Sequence, residues 1–265
     1  MASQKRANRE LKMPVVKAAD RPFGMQLVAR VLGLVLRLLF YVKLVKGKEN
    51  VPKTGAYILA GNHVTYLDAL AVAYLTFFKL KRGPHFMAKG PLFNVPLLGP
   101  MLRACGQIPV YRNGRVNAEP MAAAKLYLAK GHVITIFPEG TLTRDPEGWP
   151  MKGRPGAIRL ALETGVPVIP LGQWGTEAIM PTYEKKFLPQ PWHACRIIIG
   201  KEVNLDKYRG RKLSNPELLE ATDLVMQEIL KLTAEVRGEK APKQLYDPRA
   251  EGQSTTGNFK KESKK

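Results

Sequence analysis

The chain of 265 residues is 45% hydrophobic and carries 42 Lys and Arg against 22 Asp and Glu, a formal net charge of +20. This composition excludes a disordered chain and indicates one α/β domain with a sizeable core, while the charge implies an anionic partner: nucleic acid, an anionic membrane surface or phosphorylated substrates. The two cysteines, Cys105 and Cys195, lie far apart without metal-ligand spacing, so we interpret both as reduced thiols in a cytosolic compartment.

The N-terminal part of the chain divides into a basic segment and an apolar one. Residues 1–24 predict a basic, flexible arm, and no signal peptide fits them. Residues 25–46 are apolar but interrupted by Arg30, Arg37 and Lys43, and their uncharged stretches are too short to span a bilayer. We interpret 25–46 as an amphipathic helix at the membrane interface, with arginine stems reaching toward the headgroups. The alternative is an amphipathic helix packed on the core.

Residues 47–237 alternate short apolar runs with helical patterns, which predicts a largely parallel central sheet with helices on both faces. The tail at 238–265 is polar and charged, and we expect it to be disordered. The predicted strands are 56–60, 85–88, 107–111, 132–137, 166–171 and 196–199, and the predicted helices are 68–78, 119–130, 156–164 and 216–237.

Three side chains directly follow apolar strands: His63, Arg112 and Glu139. The carboxyl ends of parallel strands meet at one edge of a sheet, where ligands bind, so we expect the three together there. If His63 lies in the loop after its strand and Asp68 in the first turn of the next helix, the carboxylate fixes one imidazole nitrogen and leaves the other basic. The alternative is a capping or core histidine beside an ordinary first-turn acid.

Four short sequence blocks follow one another along the chain. They read NHVTYLD at 62–68, GQIPVYR at 106–112, FPEGT at 137–141 and VPVIP at 166–170. In order and separation they resemble the glycerolipid acyltransferase family, which includes the 1-acylglycerol-3-phosphate acyltransferases. The resemblance covers roughly residues 48–201.

The resemblance implies acyl transfer from acyl-CoA or acyl-carrier protein to the sn-2 hydroxyl of a lysophospholipid, 1-acylglycerol-3-phosphate, which gives phosphatidic acid. In that reaction His63 is the general base, and Asp68 orients it and stabilises the imidazolium. Arg112 is the candidate for the acceptor phosphate, because a guanidinium binds phosphate in a bidentate fork. Its alternative is a surface arginine at a strand end.

Five further positions belong to this predicted site. Glu139 either positions the glycerol hydroxyl or a cation, or is a structural carboxylate at a strand-to-turn junction. Backbone N–H groups near Gly140 or at the start of the helix after His63 are the candidate oxyanion donors. Thr141 either bonds the acceptor or shapes the turn. Two basic residues are further candidate substrate contacts. Lys89 follows a predicted strand. Many family members carry a basic or small polar residue directly after the Glu-Gly-Thr sequence, but here that position is Leu142, and the nearest basic residue is Arg144.

The expected setting is the cytoplasmic face of the cell membrane, with the protein peripheral or monotopic on an anionic membrane surface. We expect no metal or redox cofactor and no nucleic acid partner, because no nucleic-acid-binding signature is found. Two alternatives remain: an acyltransferase for another acceptor (another lysophospholipid, glycerol-3-phosphate or a glycolipid), or a non-catalytic basic protein that binds membranes or nucleic acid.

Overall fold

The computed structural model describes residues 19–110, 118–184 and 186–254. In these ranges the chain forms one seven-stranded sheet flanked by six α-helices. The strands are β1 (Tyr41–Lys46), β2 (Tyr57–Gly61), β3 (Pro84–Lys89), β4 (Ile108–Val110), β5 (Val133–Ile136), β6 (Val168–Trp174) and β7 (Ala194–Ile199). The helices are α1 (Phe23–Leu39), α2 (Asp68–Tyr74), α3 (Leu98–Ala104), α4 (Ala118–Ala129), α5 (Gly156–Thr164) and α6 (Asn215–Arg237).

The strand order is β1-β7-β6-β2-β5-β3-β4. Strands β2 to β6 run parallel to one another, whereas β7 pairs antiparallel with β6 and carries β1 parallel at its outer side. The predicted fold class is therefore confirmed. The exception is the pair β1 and β7, which runs antiparallel to the other five strands. The carboxyl ends of β2, β5 and β6 lie at one edge, beside the amino ends of β1 and β7.

Side chains of the central strand β2 alternate between two apolar cores. Ile58 and Ala60 face the core formed with α4, α5 and α6, and Tyr57 and Leu59 face the core formed with α1 and α2. All four are fully buried, as expected of a strand covered on both faces. Helix α6 approaches β6 so closely that a Cβ at Gly172 would lie 2.5 Å from the Leu232 carbonyl carbon, so a residue without a side chain is required there.

The prediction of one helix over 25–46 is wrong for its last part. Helix α1 ends at Leu39, the backbone of Phe40 is extended, and residues 41–46 form the edge strand β1. Strand β1 pairs with β7 from Tyr41 opposite Ala194 onward. Among the described residues, no helix has the length and apolarity needed to cross a bilayer.

Both predicted terminal boundaries also need correction, although residues 1–18 and 255–265 lie outside the described ranges. Within the predicted flexible arm, the Asp20 carboxylate accepts hydrogen bonds from Arg82 Nε at 3.0 Å and from the Gly83 N–H at 2.8 Å. Within the predicted disordered tail, Leu245 is buried and Tyr246 forms a β-bridge with Met151. Buried contacts therefore hold both segments against the domain.

Candidate active site

His63 and Asp68 meet at the carboxyl edge of the sheet. His63 stands two residues beyond the end of β2, and Asp68 is the first residue of α2. His63 Nδ1 lies 3.1 Å from Asp68 Oδ2, so the predicted convergence of the two side chains is confirmed. The imidazole also stacks on Phe137, with 4.3 Å between ring centroids and 10° between the planes. The ring is thus fixed in both position and orientation.

The Asp68 carboxylate is fully buried and surrounded by hydrogen-bond donors. Besides His63, Oδ2 accepts from the backbone N–H groups of Val64 and Thr65, at 2.5 and 2.8 Å. Oδ1 accepts from the hydroxyl of Thr176 at 2.5 Å and from that of Thr65 at 3.4 Å. These donors replace the water that burial removes and hold the carboxylate plane toward the imidazole.

The arrangement leaves one edge of the imidazole for chemistry. With Nδ1 directed at Asp68, Nε2 lies on the opposite edge of the ring, where no hydrogen-bond partner is found among the described residues. The His63 side chain is 16% exposed, so a reactant can reach it. Such a ring is suited to take a proton from a hydroxyl, with the adjacent carboxylate stabilising the imidazolium that forms.

Glu139 holds the backbone of the site. Its Oε1 accepts from the His63 N–H at 2.8 Å, and its Oε2 accepts from the Met151 N–H at 3.2 Å. Burial raises the pKa of Glu139 well above its usual range, although these two N–H donors act in the opposite direction. Of the two roles open to Glu139 from the sequence, these contacts are those of a structural carboxylate.

Three backbone N–H groups close to the positions expected to bind an oxyanion are engaged within the site. The Gly140 N–H donates to the Phe137 carbonyl at 3.0 Å, and the N–H groups of Val64 and Thr65 donate to Asp68. Gly140 itself has a φ of +71°, and a Cβ there would lie 2.9 Å from Cδ of Arg154. The glycine is therefore required by the turn and by the arginine that covers it.

The remaining predicted substrate contacts lie at different depths. Thr141 is buried, and the carbonyl of the next residue, Leu142, accepts from the Tyr183 hydroxyl at 2.7 Å. Arg144 is only 1% exposed, and its guanidinium carbon lies 5.8 Å from the centre of the Tyr183 ring. Lys89 is exposed at the end of β3, at the same edge as His63. Arg112 lies outside the described residues.

Sequence reasoning missed the residues that brace the site from β6. Asn62 Nδ2 donates to the Gln173 carbonyl at 3.0 Å, and the Gln173 N–H donates to Asn62 Oδ1 at 2.9 Å. Gln173 Nε2 also donates to the Asn62 carbonyl at 2.9 Å. This reciprocal pair fixes the end of β2 to the end of β6, and Thr176 follows two residues beyond β6. These polar residues stand at or just after the end of a strand, and that position is the sequence signal by which they could have been identified.

Comparison with known proteins identifies the family of this chain. Residues 43–174, about half of the chain, match the family model described as Acyltransferase. The chain is similar to the chloroplastic 1-acyl-sn-glycerol-3-phosphate acyltransferase BAT2 of Brassica napus, with 31% identity over 62% of this chain and 46% of the relative. It is also similar to the 1-acyl-sn-glycerol-3-phosphate acyltransferase of Bacillus subtilis, with 28% identity over 77% of this chain and 94% of the relative.

The fold is similar to the crystal structure of the 1-acyl-sn-glycerophosphate acyltransferase PlsC from Thermotoga maritima. The TM-score is 0.62, with 24% sequence identity and 82% of each chain covered. The match spans about half the length of the two plant relatives, 46% for that of Brassica napus and 45% for that of Arabidopsis thaliana. The family resemblance of the four sequence blocks is confirmed: the chain belongs to the acyltransferase family.

Proposed function

We propose that this chain transfers a fatty acyl group from a thioester donor to the sn-2 hydroxyl of 1-acylglycerol-3-phosphate, giving phosphatidic acid. The observation that carries the proposal is the 3.1 Å contact between His63 Nδ1 and Asp68 Oδ2 at the carboxyl edge of the sheet. It supplies an oriented general base at the place where ligands bind in parallel sheets. The relatives named above support the choice of acceptor.

In this mechanism the acceptor hydroxyl is itself the nucleophile. His63 Nε2 takes the hydroxyl proton as the oxygen bonds to the thioester carbonyl carbon, and the carbonyl oxygen becomes an oxyanion. When the carbonyl re-forms, the carbon–sulfur bond breaks, and the leaving thiolate takes the proton from the imidazolium. Asp68 stabilises that imidazolium throughout. A thioester is already activated, so we expect no metal or redox cofactor.

The basic residues of the site are assigned to the anionic parts of the reactants. The acceptor carries a phosphate, and the donor, acyl-CoA or acyl-carrier protein, carries phosphates as well. We assign Lys89, the last residue of β3, and Arg112, which comes two residues after β4 in the sequence, to the acceptor phosphate. We assign to Arg144, which is buried, a contribution to the positive electrostatic potential that attracts these phosphates.

We assign α1 to the membrane surface, at the cytoplasmic face of the cell membrane. Five of its large apolar side chains are more than half exposed: Phe23, Leu27, Val31, Leu34 and Leu38. At 100° per residue these five fall in one stripe of the helix, opposite the buried Met25 and Leu36. An exposed apolar stripe on a strongly basic protein is typical of a helix that lies in the interface of an anionic bilayer.

The activity is tested with the purified full chain, acyl-CoA or acyl-carrier protein as donor, and a panel of acceptors. Transfer to 1-acylglycerol-3-phosphate is expected to exceed transfer to lysophosphatidylcholine and to glycerol-3-phosphate. His63→Ala is expected to lower kcat by about 100- to 10,000-fold. Equal rates on 1-acylglycerol-3-phosphate and lysophosphatidylcholine would contradict the acceptor assignment. An unimpaired His63→Ala variant would contradict the mechanism.

Membrane docking is tested by co-sedimentation with vesicles. The double substitution Leu34→Ser and Leu38→Ser is expected to weaken binding at least about tenfold, since each leucine loses apolar burial in the bilayer. The control replaces two leucines of α6 that are also exposed, Leu219 and Leu224, by serine. Equal binding by the two double variants would contradict the assignment of α1.

A further inference from the structure

A groove of about 420 Å³ lies where the end of α1 meets the beginning of β1. It is lined by apolar, aromatic and basic side chains, among them Leu36, Arg37, Phe40, Tyr41, Lys79 and Trp192. Leu36 and Phe40 are buried, whereas Trp192 is 94% exposed. An indole left almost wholly in solvent beside two cations is unusual for a soluble surface and is typical of the boundary between lipid and water.

The groove adjoins the apolar stripe of α1. Arg30 and Arg37 are seven residues apart and therefore lie on the same side of the helix, along one border of the stripe. Arg37 is the one of the two that lines the groove, at the last turn of α1. A lipid whose acyl chains lie along Leu34 and Leu38 would thus bring its headgroup to the mouth of the groove.

Sheet topology places the Tyr41 end of the groove at the same edge as His63. Lys43 of β1 and Trp174 of β6 both pair with Arg196 of β7, and Trp174 is at the carboxyl end of its strand. Tyr41, two residues before Lys43, therefore extends beyond that level, on the side where His63 lies. Three strand spacings separate β1 from β2, or about 14 Å. A lipid bound at Tyr41 would hold the edge that carries His63 toward the bilayer.

The two cations of the groove have donors to offer. Arg37 Nε donates to the Tyr74 hydroxyl at 3.2 Å, which fixes the guanidinium plane. In the described ranges, the two terminal nitrogens of Arg37 and the amine of Lys79 have no acidic partner. The residues that line the groove include no Asp or Glu. A phosphate monoanion or phosphodiester complements such a site in charge and in donor geometry.

We propose that this groove binds the phosphate of an anionic phospholipid of the bilayer, with Arg37 and Lys79 as its donors and Trp192 at the headgroup level. The bound lipid is a component of the membrane and not the acceptor of the acyl group. This inference rests on the proposed docking of α1 and deepens it, because it assigns the lipid headgroup as well as the apolar contact. It does not depend on the proposed reaction.

The binding test uses the full chain and vesicles of phosphatidylcholine with or without phosphatidylglycerol, at fixed salt. Arg37→Gln with Lys79→Gln is expected to weaken binding to the anionic vesicles by about 5- to 30-fold, and binding to the neutral vesicles by less than about twofold. The matched control, Lys53→Gln with Lys201→Gln, removes two exposed charges, one before β2 and one after β7, at the opposite edge of the sheet. It lowers the net charge equally and is expected to change binding less than about threefold.

A second readout follows Trp192 itself, as the difference in emission between the wild type and Trp192→Phe. The emission of Trp192 is expected to shift to the blue with anionic vesicles and to remain unchanged with inorganic phosphate alone, which separates a bilayer lipid from a free anion. The proposal is overturned if both double variants lose binding equally, or if inorganic phosphate alone gives the full shift.

Transfer to a water-soluble, short-chain acceptor separates this proposal from the proposed function. That rate is expected to stay within about twofold of wild type in the Arg37→Gln and Lys79→Gln variant, because neither residue lies at His63. Loss of that rate together with vesicle binding would overturn the assignment to a membrane lipid. Absence of acyl transfer in the wild type would overturn the proposed function and leave the vesicle result standing.

Discussion

Glu139 Oε1 accepts the backbone N–H of His63 at 2.8 Å, so the acid of the third sequence block acts on the backbone that carries the imidazole. The same carboxylate reaches Met151 N–H through Oε2. It thereby connects the loop after β2 to the loop after β5. The position of His63 depends on both loops.

Replacing Glu139 by Gln is expected to lower kcat by about 10- to 100-fold, because the amide NH₂ must then face one of the two N–H donors and displace it. The measurement is kcat with a saturating acceptor, accompanied by the thermal unfolding midpoint. Glu177→Gln is the matched control, since Glu177 is a half-buried acid near the same site that accepts the Gly175 N–H at 2.8 Å. Equal losses in the two variants would contradict a specific role for Glu139.

The hydroxyl of Thr176 is expected to matter for rate more than for substrate binding. It donates to Asp68 Oδ1 at 2.5 Å and touches neither reactant in the proposed mechanism. Thr176→Val keeps the shape and removes the donor, so kcat should fall by about tenfold while KM changes by less than about twofold. Thr176→Ser should restore most of the rate. A serine variant as slow as the valine variant would show that packing, and not the donor, is what matters.

Arg237 lies between two indole rings. Its guanidinium carbon is 3.7 Å from the centre of the Trp149 ring and 3.9 Å from that of Trp174. Its Nη1 also donates to the Glu147 carbonyl at 3.0 Å. The end of α6 thus clamps the loop after β5 against the end of β6.

Arg237→Lys is expected to lower the free energy of unfolding by about 2 kcal/mol, because the ammonium cannot stack between two rings or keep the fork of hydrogen bonds. Urea denaturation measures the loss. Arg211→Lys alters an exposed arginine paired with Glu217 and should cost less than about 1 kcal/mol. A cost for Arg237→Lys no greater than for this control would contradict the clamp.

His85 gives a stability that depends on pH. Burial lowers the pKa of His85 from 6.5 to about 4, so between these values the unfolded chain binds a proton that the folded chain does not. Stability therefore falls as pH falls through that window, by about 3 kcal/mol for this residue. In His85→Phe, which keeps a ring beside Tyr127, the free energy of unfolding should fall correspondingly less between pH 6.5 and 4. Parallel pH profiles for the two proteins would contradict this assignment.

The fold was largely predictable where local pattern and tertiary structure agree. Helix α5 was predicted at 156–164 and begins and ends at those residues, since an apolar face and a following glycine define it. Strand β1 was missed because Tyr41–Lys46 continues the apolar run of α1 without a Gly or Pro between them. Only its pairing with β7 makes this segment a strand, and no local signal reports a partner so distant in sequence.

The contacts of the site were likewise predictable only where the residues lie close together in the sequence. His63 and Asp68 are five residues apart, and a strand followed by a helix N-terminus is enough to bring them together. Thr176 lies 108 positions from Asp68, and its contact depends on β6 lying beside β2. Strand order is a property of the whole sheet, so the support of the Asp68 carboxylate from that strand could not be read from periodicity.

The pairing of β1 with β7 has a consequence for the order in which the protein forms on the ribosome. Tyr41 pairs with Ala194, 153 positions later, and β7 is the one neighbour of β1 in the sheet. At translation speeds of roughly 5–20 residues per second, β1 waits about 8–30 s for its hydrogen-bonding partner. The residues of α1 are already synthesised throughout that delay, and their apolar side chains are uncovered. The nascent chain is therefore able to meet lipid before its catalytic edge exists.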